Sequence, residues 1–266
     1  MEDLKDRITS AAEKVADNVY RCIPRPGVSG VEWGTCRLVA HRGCHDSGKT
    51  THENTLAAFE AACQAGIWGI EFDVQWTRDQ VPVVIHDTDT SGLPGSTAVE
   101  IGRTDFDQLR ERCPLVPRLD EVVAEFGGRI HLMVELKSET LNTHIQQSLS
   151  EYLLHLEPIR DFHIMSLDAA PLRALKDIPV DARLLIAITN TKEMMRETLS
   201  GGIGGLTGHF PLLNRAMRKE LNAKGIPWGT GFVNSTNLLA REVRSGARWV
   251  FSDTAQQIAV KLDQLA

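Results

Sequence analysis

The chain has 266 residues, 42% hydrophobic and 24% charged, which suits a globular protein with one large core and excludes a disordered or fibrous chain. A formal net charge of −6 gives no general attraction to nucleic acid or anionic membrane, so an anionic substrate would have to find local positive charge. Five cysteines without a C-x-x-C spacing fit reduced thiols, and no apolar run is long enough to span a bilayer, so a cytoplasmic protein without stable membrane insertion is expected.

In chain order, the first segment carries Glu2, Asp3, Lys5, Asp6 and Arg7 before any apolar run, which is not the layout of a secretory signal. Leu4, Ile8, Ala11, Ala12, Val15 and Val19 recur at helical spacing and predict an N-terminal helix laid across the bottom of the main domain. Pro24, Pro26, Gly27 and Gly30 then mark a loop, so residues 1–30 read as helix and linker and 31–266 as one domain.

Beyond Gly30, short β-rich runs alternate with stretches of helical periodicity, the pattern of a parallel sheet with crossover helices. Strands are predicted at 37–41, 68–74, 130–136, 162–166, 183–188, 203–207, 226–232 and 249–252. Helices are predicted at 54–65, 119–126, 143–156, 169–176, 192–199, 212–223, 236–245 and 255–265. Eight such units over this length predict a closed TIM (β/α)8 barrel rather than an open doubly wound sheet. The connection at 75–118, after the second strand, is too long for an ordinary loop and is read as an insertion overhanging the active face.

Chemistry-bearing residues fall at the predicted strand tips. The first strand ends in His41-Arg42-Gly43, placing an imidazole and a guanidinium where the chain leaves the barrel. In Ile70-Glu71-Phe72-Asp73-Val74 the two-residue period puts Glu71 and Asp73 on one face, and Glu135 and Lys137 share a face of the third strand. Three converging carboxylates repel one another and call for a cation; an all-oxygen set favours one divalent ion, Mg2+ or Ca2+ and by extension Mn2+, over zinc. A second apolar run, 81–85, ends in His86-Asp87. Two imidazoles titrating near neutral pH can divide the roles of base and acid, as phosphodiester cleavage requires. With a divalent ion bound, and Arg42 and Lys137 counted, the mouth is net positive; without the ion it is net negative. His45, His52 and His209 lie where they could reach the mouth, but read as solvated or supporting residues.

This set resembles the glycerophosphodiester phosphodiesterase family. The resemblance runs through His41-Arg42-Gly43, Glu53-Asn54-Thr55-Leu56 with Ala58-Phe59, Gly69-Ile70-Glu71-Phe72-Asp73-Val74, Val83-Val84-Ile85-His86-Asp87 and Val134-Glu135-Leu136-Lys137, and more weakly through Met165-Ser166-Leu167-Asp168 and Ser252-Asp253. It implies metal-dependent hydrolysis of small glycerophosphodiesters to sn-glycerol 3-phosphate and an alcohol. His41 and His86 would be the acid/base pair, Glu71, Asp73 and Glu135 the metal ligands, Arg42 and Lys137 the phosphate contacts, and Glu53 a support for the metal or histidine shell.

The sequence departs from the family pattern on the substrate side. His52 stands in place of proline, Asp89-Thr90-Ser91-Gly92 in place of Arg-Thr-Thr, and Gly231-Phe232-Val233-Asn234 in place of Trp-Thr-Val-Asn. Two rival readings are a lysophospholipase D or sphingomyelinase D-like lipid phosphodiesterase, with Ile67, Trp68, Leu93, Phe210, Leu212 and Phe232 as candidate acyl contacts, and a non-catalytic barrel that binds a phosphorylated ligand.

Overall fold

The computed structural model describes residues 37–46, 50–96, 98–137 and 141–263, together with Val19. The expected N-terminal helix and linker therefore lie outside the described residues except for Val19, which is helical and exposed. Cys22 and Cys36 also lie outside them; Cys44, Cys63 and Cys113 are free thiols.

Eight parallel strands form a closed ring: β1 (Arg37–His41), β2 (Gly69–Trp76), β4 (His131–Leu136), β5 (Phe162–Ser166), β6 (Arg183–Ala187), β7 (Gly205–His209), β8 (Trp228–Gly231) and β9 (Trp249–Ser252). β1 closes it by pairing with β2 (Ala40↔Ile70) on one side and β9 (Leu38↔Val250) on the other. Helices α1 (Leu56–Gln64), α3 (Leu119–Phe126), α4 (Thr143–Leu153), α5 (Ala169–Ala174), α6 (Thr191–Leu199), α7 (Arg215–Ala223), α8 (Thr236–Arg244) and α9 (Ala255–Asp263) connect the strands, after α2 (Phe106–Arg112) in the insertion. Several helix starts are fixed by side chains that accept an otherwise orphaned backbone N–H: Thr55 from Ala58, Asn142 from Ile145 and Ser235 from Leu238.

Both faces of the parallel strands are covered. Ile70, Phe72 and Val74 point outward into the layer beneath the helices, where Phe59 meets Phe72 and Phe126 at ring distances of 5.6 and 5.7 Å. Each such fully buried side chain contributes about 1.5–3 kcal/mol. Inside the ring, Val39, Met133, Met165, Leu184, Trp249 and Phe251 fill the middle. Below them His131 and His163 face one another at 2.7 Å, flanked by Trp68 stacked on His131 at 4.1 Å and Trp249 edge-on to His163.

The insertion is folded rather than an irregular loop. Its first piece, β3 (Pro82–Val84), pairs antiparallel with β2 (Val74↔Val84, Trp76↔Pro82). Because β4 holds one edge of β2 through Val74, β3 takes the other edge, in the lane that β1 vacates after His41. Val83, Ile85, Val99, Ile101, Leu109 and Cys113 form a small core of their own, which includes the side of α2 that carries Leu109. The sixth barrel strand, β7, begins two residues later than expected from the sequence, and Gly204 just before it packs against the backbone of Val180 and Asp181, where a Cβ would collide. That shift makes His209 a strand-tip residue. Among the described residues no helix is long and apolar enough to cross a membrane.

Candidate active site

His41, Arg42, Glu71, His86, Glu135 and Lys137 line one cavity of about 480 Å³ at the C-terminal end of the ring, within the size range of small-molecule sites. Asp73 completes an acidic trio with Glu71 and Glu135, one oxygen from each within 4.8 Å of the others. The structure thus brings together seven of the eight residues singled out in the sequence, and the eighth, Glu53, sits at the rim on Arg42. A second hollow of about 440 Å³ beside the starts of α8 and α9 is lined by Asn234, Thr254, Gln257 and Lys261 and lacks histidines and acids.

The turn after β1 is built around two residues with left-handed backbone. Arg42 has φ 56°, its N–H donating to Glu71 Oε2 at 3.0 Å, and Gly43 has φ 80°. A Cβ on Gly43 would lie 2.8 Å from that of Ala58, so glycine lets α1 press against the turn. At the start of α1 three consecutive residues do three jobs. Glu53 accepts from Arg42 at 2.6 Å, Asn54 donates its amide to Asp73 Oδ2 at 2.8 Å, and Thr55 caps the helix. Glu53 thus steadies the guanidinium, and Asn54 supports Asp73 of the acidic trio.

The acids and cations form one network. Lys137 reaches Asp73 Oδ1 at 2.8 Å and also binds Glu135, while Arg42 Nε stands 3.4 Å from Asp73 Oδ2. In this network the two cations are engaged by the carboxylates. Burial alone would favour neutral acids, but Lys137 and Arg42 hold the Asp73 carboxyl well below its ordinary range. Glu71 goes the other way: burial, then repulsion by Asp73, pushes its carboxyl up, and its buried Oε1 has no hydrogen-bond partner. Each like-charged pair in the trio costs about 3 kcal/mol at an effective dielectric near 20. An orphaned carboxylate oxygen amid three converging acids is the environment a hard divalent cation satisfies, so the residues present fit such an ion.

Both histidines are oriented by aspartates. His41 Nδ1 lies 2.7 Å from Asp253 Oδ1, and His86 Nδ1 lies 2.8 Å from Asp87 Oδ1. A carboxylate only accepts, so Nδ1 carries the proton in each ring and Nε2 is left to exchange protons. His41 Nε2 stands 3.7 Å from Glu71. Burial pulls the His41 imidazole down, but Glu71 and Asp253 outweigh it and raise it to about 9; His41 in turn holds Asp253 near about 2.

Sequence reasoning missed three contributors. Asp253 lies 212 residues from His41 and carried only a weak resemblance in Ser252-Asp253. Gln75 donates its amide to the carbonyls of Ile85, His86 and Asp87, pinning the segment that carries His86. His209, expected to be a supporting residue, lines the cavity. Of the apolar residues considered for a lipid chain, Phe232 lines the cavity, whereas Ile67 and Phe210 are core and Trp68 stacks on His131 at the opposite end.

Residues 41–254 match the model of the glycerophosphoryl diester phosphodiesterase family. Human glycerophosphodiester phosphodiesterase 1 is 35% identical over 101 residues, 33% of this chain and 29% of that one. Bacillus subtilis YhdW is 33% identical over 129 residues, 44% of this chain and 51% of its own. The chain thus spans about half or less of the length of the curated relatives it matches. An Oleispira antarctica phosphodiesterase, solved in complex with the product sn-glycerol-3-phosphate, superposes with TM-score 0.70 at 24% identity, covering 85% of this chain and 96% of that one. A Thermotoga maritima glycerophosphodiester phosphodiesterase gives TM-score 0.71 at 20% identity, covering 85% and 98%. At these identities the likeness is one of fold.

Proposed function

The chain belongs to the glycerophosphoryl diester phosphodiesterase family, and on that premise we propose that it hydrolyses glycerophosphodiesters to sn-glycerol 3-phosphate and an alcohol. The observation that carries this reading is the meeting of two aspartate-oriented histidines with a buried acidic trio in one cavity. Glu71, Asp73 and Glu135 would hold one divalent cation, Mg2+ or Ca2+, whose contribution when bound is to draw charge from the phosphoryl oxygens.

The chain's own residues do the rest. Arg42 and Lys137, both lining the cavity, orient the phosphate and offset charge that grows in the transition state. One imidazole removes the proton of the attacking oxygen through Nε2 while the other delivers a proton to the departing alkoxide, each worth about 10² to 10⁴ in rate. Asp253 and Asp87 keep the exchanging nitrogens turned to the mouth. Asn54 and Gln75 hold Asp73 and the His86 segment in register.

The test is release of glycerol 3-phosphate from a panel of glycerophosphodiesters with Mg2+, Ca2+ or Mn2+, and its loss in excess EDTA. Full turnover under EDTA would remove the metal from this account, and binding of glycerol 3-phosphate with no turnover under any ion would replace catalysis with ligand binding.

A further inference from the structure

The mouth has two unlike halves. In the closed ring β7 lies across from β2, and β8 across from β4. The strands from β1 to β4 carry the charged network, whereas the lining from β5 and β6 onward is Met165, Leu167, Ile186 and Ile188, joined by Phe251 of β9. Among the described lining residues of this far half there is no carboxylate, lysine or arginine. Its polar side chains are Thr207, whose hydroxyl points to the Leu185 carbonyl at 3.5 Å, and His209 at the tip of β7.

Phe232 joins the two halves. It follows β8 with φ 61°, a left-handed conformation costing a bulky side chain about 1 kcal/mol or more. Its ring meets His41 edge-on at 5.6 Å and His209 edge-on at 4.6 Å. Strain retained at a cavity wall is a pointer to function rather than to packing. The ring walls a space that begins at the imidazole of His41 and ends at that of His209.

Resting on the diesterase reading above, we propose that this far half is the subsite for the departing alcohol, and that it selects an uncharged alcohol bearing a hydroxyl, held by His209 and walled by Phe232. The ester oxygen of an arm lying there is the one beside His41. An aliphatic body is accommodated by the methionine and isoleucine side chains, and a hydroxyl finds an imidazole nitrogen. A quaternary ammonium finds no counter-charge among the described lining residues of this half, and the two phenylalanine rings there, Phe232 and Phe251, offer it about 1 kcal/mol each at a partly open mouth, less than a carboxylate would.

The experiment compares kcat/KM of the full chain, at saturating Mg2+, on three diesters of glycerol phosphate whose second alcohol is glycerol, ethanol or choline. The expected order places the glycerol diester about tenfold above the choline diester. His209→Leu should lower kcat/KM for the glycerol diester about tenfold, mainly through KM, and fall less heavily on the ethanol diester; His209→Gln, which keeps a donor, should restore most of the loss. Ile188→Asp should raise the choline diester relative to the glycerol diester. Equal or better use of choline by the wild type, or an equal loss on all three diesters in His209→Leu, would overturn the subsite while leaving the diesterase reading intact. No turnover of any diester would sink both.

Discussion

Two pairs of histidines stand inside one barrel, at opposite ends, in opposite electrical settings. At the top, His41 and His86 each lie against an aspartate, and His41 is drawn up to about 9 by Glu71 and Asp253 in spite of burial. At the bottom, His131 donates Nδ1–H to the Arg160 carbonyl at 2.9 Å and accepts at Nε2 from His163. Burial and the Arg37 guanidinium outweigh Asp161 and hold His131 down at about 4, while burial, His131, Arg37 and Arg248 hold His163 at about 3. The residue type is the same; what differs is the balance of neighbouring charge, carboxylates prevailing at the top and arginines at the bottom. The bottom keeps its two rings neutral, and the top concentrates charge where a reaction can use it.

The sharpest way to break this contrast is at the top. His41→Ala or His86→Ala should lower turnover by about 10³ or more, with far-UV circular dichroism unchanged. Asp253→Ala comes next, with kcat down about 10² and KM nearly constant, since Asp253 acts through His41. At the bottom the loss should move from rate to stability. His163→Ala leaves His131 Nε2 without its partner and opens a hole, costing about 2 kcal/mol in urea unfolding while kcat of the folded fraction is retained. A drop in kcat there comparable to that of Asp253→Ala would erase the division between the two ends.

The last test is the pH profile of stability. His131 and His163 bind protons less readily folded than unfolded, where the value is 6.5. Their contribution is therefore complete above pH 6.5 and is lost as pH falls toward about 4 and then about 3. The slope is at most about 1.4 kcal/mol per pH unit for each ring. Urea midpoints from pH 7 to 4 should show this limb, and replacing both rings by leucine should flatten it. An unchanged limb in that double variant would assign acid sensitivity to other groups.

Much of the upper end was legible in the sequence because its residues sit at the ends of strands whose two-residue period is plain. Glu71 and Asp73 alternate with Ile70, Phe72 and Val74, and the barrel count followed from eight β-rich runs. What escaped was information held between distant segments. Asp253 is recognisable as the partner of His41 only once β9 is known to pair with β1. His209 was obscured because β7 starts and ends two residues later than its sequence pattern suggests. The insertion showed its length and the apolar run before His86, but the small core that Val83 and Ile85 share with Val99, Ile101 and Leu109 joins segments too far apart in sequence to be read from their pattern.

The lane that β3 occupies has one more consequence. Main-chain pairing to Val74 and Trp76 and the three bonds from Gln75 anchor the segment ending at His86, while Thr90, fully buried and bonded to Val99, and Leu93, packed on the small core, fix the base of the insertion's tip. Pro94 and Gly95, exposed beyond that base, are thus the natural graft point, where length and composition can be exchanged without moving the proton-carrying group.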